Sequence, residues 1–98
     1  MKISILLPYK ENFTHEAAGA VSLFVHQIWN VSNYKKEITI FGNTNYKKYL
    51  NKNYKNIKFD KNIFRSSSKI YVDNFLKNTE VINSDIIEVH NRPNYIKF

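Results

Sequence analysis

Short β-branched runs alternating with amphipathic stripes predict an α/β protein built on a mostly parallel sheet. Three observations carry that prediction. Residues 2–7 form a continuous apolar run that stops at Pro8, which suits a strand buried on both faces. Val21, Phe24, Val25, Ile28 and Trp29 then recur at spacings of three and four, the stripe of an amphipathic helix. Residues 37–41 (EITIF) are rich in β-branched side chains and end at Gly42, so they read as a second strand. Strands joined by crossovers of this length pair in parallel through right-handed connections. The architecture is therefore Rossmann-like, a three-layer α/β/α arrangement with a sheet of about four strands.

The remaining elements follow in order. The first helix runs from the end of a polar loop to near Asn33. Its start has two readings: Thr14 as cap, which puts Glu16 in the first turn, or a start near Ala18, which leaves the first amides free. Periodicity weakens after Asn43, leaving a short helix over 46–50 and a third strand over 56–59. Ser66 to Ser68 supply a cap for a second helix carrying Ile70, Val72, Phe75 and Leu76 and ending near Thr79. Residues 85–89 (DIIEV) make the fourth strand.

The chain has 98 residues, enough for a single domain that removes roughly 60 to 70% of its unfolded surface from water. No stretch reaches the roughly 18 apolar residues of a membrane span, and the first apolar run is too short for a signal-peptide core. The reading is a cytoplasmic protein. With zero cysteines, disulfides, thiol catalysis and cysteine-bound zinc drop out. The net charge of +7 invites an anionic partner, yet only Arg65 and Arg92 offer the forked guanidinium that grips phosphates and base edges. The rest is lysine spread through an asparagine- and isoleucine-rich chain, so a solvated basic surface is favoured and nucleic acid is the disfavoured partner.

In an open parallel sheet the ligand crevice lies outside the carboxyl ends of the strands, where strand order reverses. That draws attention to the loops after the first and fourth strands. Gly19 stands where the first loop meets the helix: either it lets backbone amides approach an anion, or it allows the helix to pack closely on the sheet. With Gly19 and Gly42 as the two glycines, neither a three-glycine dinucleotide fingerprint nor a Walker loop can be drawn. His90 is the best-placed titratable group, able to donate or accept a proton near neutral pH. Asn91 and Arg92 could hold a sugar hydroxyl and a phosphate or carboxylate, or could cap the strand end before a helix opened by Pro93. Glu88 reads as a general base or as half of a structural salt bridge. His15 and His26 show no metal-ligand spacing, His26 falling on the polar flank of the first helix, so no metal and no cofactor is assigned.

The segments MKISILLPY, EAAGAVSLFVHQI, EITIFG and above all SDIIEVHNRPNY resemble the amino-terminal domain of glycosyltransferase family 4 enzymes of the GT-B fold. The likeness spans about residues 1–42 and 80–95, while 43–79 is generic. It implies a transferase moving a sugar from a nucleotide-sugar donor to a glycan or lipid-linked acceptor in cell-surface polysaccharide synthesis, retaining anomeric configuration. By resemblance His90 takes the place of the family's histidine after the fourth strand, with Asn91 and Arg92 in the same motif, and Gly19 matches the second glycine of its usual pair. Ala18 stands where the first glycine is expected. Family members carry a second, donor-binding domain. The resemblance thus implies that residues 1–98 are a single, incomplete amino-terminal domain, inactive without a carboxy-terminal domain or partner chain, with peripheral membrane contact if the acceptor is lipid-linked.

Two other readings stand beside it. Lys47, Lys48, Lys52, Lys55, Lys58 and Lys61, interleaved with Tyr46, Tyr49 and Tyr54, could form a basic face for an anionic membrane or nucleic acid. The chain could also be a non-catalytic remnant whose incomplete sheet leaves an unpaired edge and an uncovered apolar face.

Overall fold

A computed structural model describes residues 1–58 and 67–90. The elements are β1 (Ile3–Leu6), α1 (Ala20–Val31), a 3₁₀ turn (Lys35–Glu37), β2 (Ile38–Gly42), β3 (Tyr54–Asn56), α2 (Ser67–Lys77), α3 (Thr79–Ile82) and β4 (Ile86–Val89). All four strands are parallel, in the order β3-β2-β1-β4. The fold is a small Rossmann-like α/β sandwich.

Sheet order and helix placement have one cause. From β1 through β2 to β3 the chain steps outward in one direction, and from β3 to β4 it crosses back to the far side of β1. Crossovers of the same hand that step in opposite directions must use opposite faces of the sheet. Two separate cores result. On one face Val25 of α1, with Val21 and Trp29 beside it, packs on Ile5, Leu7, Ile38 and Ile40. On the other, Tyr71 and Phe75 of α2 and Val81 of α3 pack on Leu6 and Phe41. Ile5 and Leu6, adjacent in sequence, go to different cores because successive strand side chains point to opposite faces.

The strand edges are tied by specific bonds. Lys2 N–H donates to Asp85 Oδ2 at 2.8 Å and the Lys2 carbonyl accepts from Asp85 N–H at 2.8 Å, which sets β4 alongside β1. The buried Tyr71 hydroxyl donates to the Leu7 carbonyl at 2.5 Å, fastening α2 to the exit of β1. Gly42 closes β2 because a Cβ there would lie 2.7 Å from the Tyr54 hydroxyl.

Several sequence-based readings need correction. Strand three lies at Tyr54–Asn56, ahead of the predicted 56–59, and residues 46–50 are not helical. Their apolar members Tyr49 and Leu50 pack instead on the α1-side core, with Leu50 N–H donating to the Phe13 carbonyl at 3.0 Å. The second helix breaks at Asn78, whose side chain accepts from Glu80 N–H and caps α3. The fourth strand, read as buried, is exposed along its length, with Ile86, Ile87 and Val89 all above 40%. It is one of the two edge strands of the described sheet, and neither described helix layer covers it.

His26 sits on α1 with its ring stacked on Trp29, edge-on to Phe13, and its Nδ1 3.2 Å from Asn51 Nδ2. Burial first, and the charge of His15 second, hold its pKa below the usual histidine value.

Two outcomes follow from these contacts. Tyr71→Phe leaves the Leu7 carbonyl without its buried donor and should cost about 1 to 2 kcal/mol in a urea unfolding titration at unchanged m-value. Because the folded pKa of His26 is lowered, its contribution to stability is full above the unfolded value of about 6.5 and is lost as pH falls through it toward the folded value. The melting temperature should therefore decline between about pH 7.5 and 5.5, and His26→Phe, which keeps a ring against Trp29 and Phe13, should flatten that decline.

Candidate functional site

Strand order reverses at β1, between β2 and β4, so the carboxyl ends of β1 and β4 flank the crevice where open α/β sheets commonly place their ligands. Leu6 is in register with Val89, and His90 N–H continues the ladder by donating to the Leu6 carbonyl at 2.9 Å. The loop after β1 and His90 after β4 therefore emerge side by side, as the sequence predicts.

Glu88 and His90 lie two residues apart and share one face of β4. His90 Nε2 is 2.7 Å from Glu88 Oε2. A carboxylate accepts, so in the neutral imidazole this contact puts the proton on Nε2 and leaves Nδ1 for a ligand or a proton transfer. Glu88 is thus not a buried charge: its side chain is 53% exposed, against 23% for His90. The imidazole also meets the Phe24 ring edge-on, with centroids 6.4 Å apart, which brings the β4 exit against the amino-terminal half of α1. Asn91 and Arg92 lie outside the described residues.

The first loop holds a residue that sequence reasoning passed over. Pro8 to Glu11 is a turn closed by Glu11 N–H donating to the Pro8 carbonyl at 3.1 Å, with Lys10 at a left-handed φ of 65°. A non-glycine residue there costs roughly 1 kcal/mol or more. The turn sends the Glu11 side chain inward, where it is 9% exposed and its Oε2 accepts from Ser22 N–H at 3.2 Å. Gly19 is the amino-terminal cap residue of α1 and its extended φ of −81° asks for no glycine. What asks for one is space, because a Cβ on Gly19 would overlap the Glu11 carboxylate.

The amide end of α1 thus already holds a negative charge, the favourable partner for the helix dipole. Of the two predicted starts the one near Ala18 is close to the observed one, although the first amides are not free, since Ser22 N–H is bonded to Glu11. Thr14 instead accepts from Ala17 N–H at 3.2 Å in a separate turn, Ala18 precedes the cap, and Glu16 is outside the helix. The signal that could have found Glu11 was an acidic residue in a loop with a helix-capping glycine but no side-chain cap of its own.

The basic-face residues divide. Tyr54 is 6% exposed in the α1-side core, and burial, then Tyr49, pushes its phenol well above the usual tyrosine value. Tyr49 packs against it at 4.4 Å, and Lys55 pairs with Glu80. These do not present a stacking surface. Lys61 lies outside the described residues.

Fold and site together define a small Rossmann-like domain with a histidine–glutamate couple at its switch point. Comparison with protein-family models, with curated proteins and with solved structures finds no match to this chain. Among the described residues no helix is long and apolar enough to cross a membrane.

If Gly19 exists to admit Glu11, the two substitutions are coupled. Gly19→Ala should cost about 1 to 2 kcal/mol, the range of a lost helix cap, in chemical denaturation. In the Glu11→Ala background the same change should cost clearly less, only the ordinary preference for glycine over alanine at a helix N-cap, a non-additivity that a double-mutant cycle reads directly.

Proposed function

We propose that the chain is the acceptor-side portion of a retaining glycosyltransferase, acting on a glycan or lipid-linked acceptor and completed by a donor-binding domain or partner chain that brings the nucleotide sugar. One observation carries the reading. His90, oriented by Glu88, opens at the β1–β4 switch point beside the first loop, the arrangement that the resemblance of SDIIEVHNRPNY and EAAGAVSLFVHQI implies. In this reading His90 Nδ1 meets an acceptor hydroxyl or the reacting sugar, and Glu88 holds the imidazole in the productive tautomer.

Glu11 narrows the role. A carboxylate already seated on Ser22 N–H repels a second anion at the α1 terminus, so the close approach of Gly19 to a donor diphosphate is not part of the proposal. This half takes the hydroxyl-rich acceptor, and the diphosphate belongs to the other half. Asn91 and Arg92, beyond the described residues, keep their proposed roles as sugar and anion contacts. A cytoplasmic site of action, with peripheral contact at the inner face of the membrane, goes with a lipid-linked acceptor.

The test uses tagged chain isolated from its own cells together with whatever is bound to it. Release of nucleoside diphosphate is measured over a panel of nucleotide sugars with extracted membrane acceptors. Turnover is expected, and His90→Ala should lower it about 100-fold or more at unchanged fold. Turnover insensitive to His90→Ala, or none with any donor, would overturn the reading; transfer by the 98 residues alone would overturn its two-part form.

A further inference from the structure

Beyond the carboxyl ends of β2 and β3, on the other side of the first loop from His90, lies a recess of about 310 Å³. That is near the lower end of ligand-pocket volumes, a size for one sugar unit rather than a nucleotide. Asn43, Asn45, Tyr46, Lys47 and Lys58 line it together with Thr44, Asn56 and the half-buried Tyr49.

The floor is held by reciprocal bonds. Thr44, 6% exposed, donates from Oγ1 to Asn12 Oδ1 at 2.7 Å, which ties the recess to the first loop. Its backbone N–H donates to Asn56 Oδ1 at 2.8 Å, and Asn56 Nδ2 donates back to the Thr44 carbonyl at 3.1 Å. Asn56 Oδ1 also accepts from the Tyr54 hydroxyl at 2.8 Å, and burial keeps that phenol protonated as a donor. Asn43 Nδ2 donates to the Ile57 carbonyl at 2.7 Å. A floor whose polar atoms satisfy one another does not rearrange when a ligand arrives.

The rim is different in kind. Lys47 and Lys58 have no carboxylate partner among the described residues, and no described acidic side chain lines the recess. Lys55, on the neighbouring strand, is by contrast paired with Glu80. Tyr46, 42% exposed, offers an aromatic face at the same rim, and the exposed Asn45 side chain can donate and accept. Two cations, the exposed face of Tyr46 and amide side chains around a rigid polar floor suit a hydroxyl-rich ring that bears a negative charge.

We propose that this recess binds an anionic sugar unit, a uronic acid or a sugar phosphate, with Lys47 and Lys58 on the charge and Tyr46 against the ring. It deepens the acceptor-side reading by giving the acceptor an acidic residue. The site can be tested without that reading, because binding requires no transfer. Glu11 and the recess divide the carboxyl edge of the sheet between them: the first loop carries its own anion, and the recess has none among the described residues.

Saturation-transfer difference NMR on the full chain, with glucuronate, glucose 1-phosphate, glucose and inorganic phosphate as probes, decides it, and the method tolerates self-association. Signals are expected from the ring protons of both acidic sugars and not from glucose. Lys47→Gln with Lys58→Gln should weaken binding about tenfold or more, with the far-ultraviolet circular dichroism unchanged. Tyr46→Ala, which leaves both charges, should weaken the sugars and spare inorganic phosphate, read as the phosphate concentration needed to displace glucose 1-phosphate. Absence of signal from both acidic sugars, or signals that survive the double lysine substitution, would overturn the proposal. Glucose bound as well as glucuronate, or Tyr46→Ala without effect, would overturn it too, the first removing the charge requirement and the second reducing the recess to a plain anion patch.

Discussion

The structure depends on β1 being the strand about which the sheet changes direction. With β2 on one side and β4 on the other, β1 sends Ile5 and Leu7 into one core and Leu6 into the other. Same-handed crossovers then have no choice of face: α1 covers one side and α2 with α3 the other. The crevice is the negative image of that constraint, since the β1-to-β2 and β3-to-β4 crossovers lie on opposite faces and leave the carboxyl end of β1 open between them. Tyr71 reinforces the point by bonding the first carbonyl past the strand, Leu7, from the α2 side.

What happens in the loop after β1 is decided by a different kind of fit. Glu11 and Gly19 are eight residues apart and meet because a left-handed Lys10 turns the chain back on itself. The pair shows how a glycine suited to binding a phosphate can be used to house an internal carboxylate, the same electrostatics with the anion supplied from within. The first loop is also fixed at two further points, by buried Phe13 stacked on Tyr54 at 5.2 Å and by Asn12 bonded to Thr44. It is scaffold as much as site.

Much of this was legible in the sequence where periodicity was strong. The run through Leu7, the stripe of Val21, Phe24, Val25, Ile28 and Trp29, and EITIF each name their element, though Phe24 and Ile28 stay exposed, and their alternation names the parallel sheet. The meeting of the first loop with His90 at β4 follows from topology alone. Sequence reasoning failed where tertiary contacts outweigh local pattern. β3 is three residues long and is identified by Tyr54 filling the space above Gly42, a pairing between residues far apart in the chain. Tyr49 and Tyr54 looked like a surface feature because lysines surround them, although lysines on a short edge strand and its loop point outward whichever way the tyrosines go. Glu88 looked like a charge in a buried strand because DIIEV is apolar, and composition does not say that a strand stands at an edge of the described sheet.

That last position has a consequence for where the molecule is soft. Among the described strands β4 has one partner, and its outward amides are bonded to no described strand, while β1 is bonded on both sides and lies under two helical layers. Opening motions start where few apolar contacts must be broken, so β4 and the couple it carries belong to the least protected part of the fold, and amide exchange should run fastest there and slowest in β1. The rigid strand thus supplies the register, and the compliant one presents the imidazole. A catalytic geometry built at such an edge is sharpened by whatever covers it.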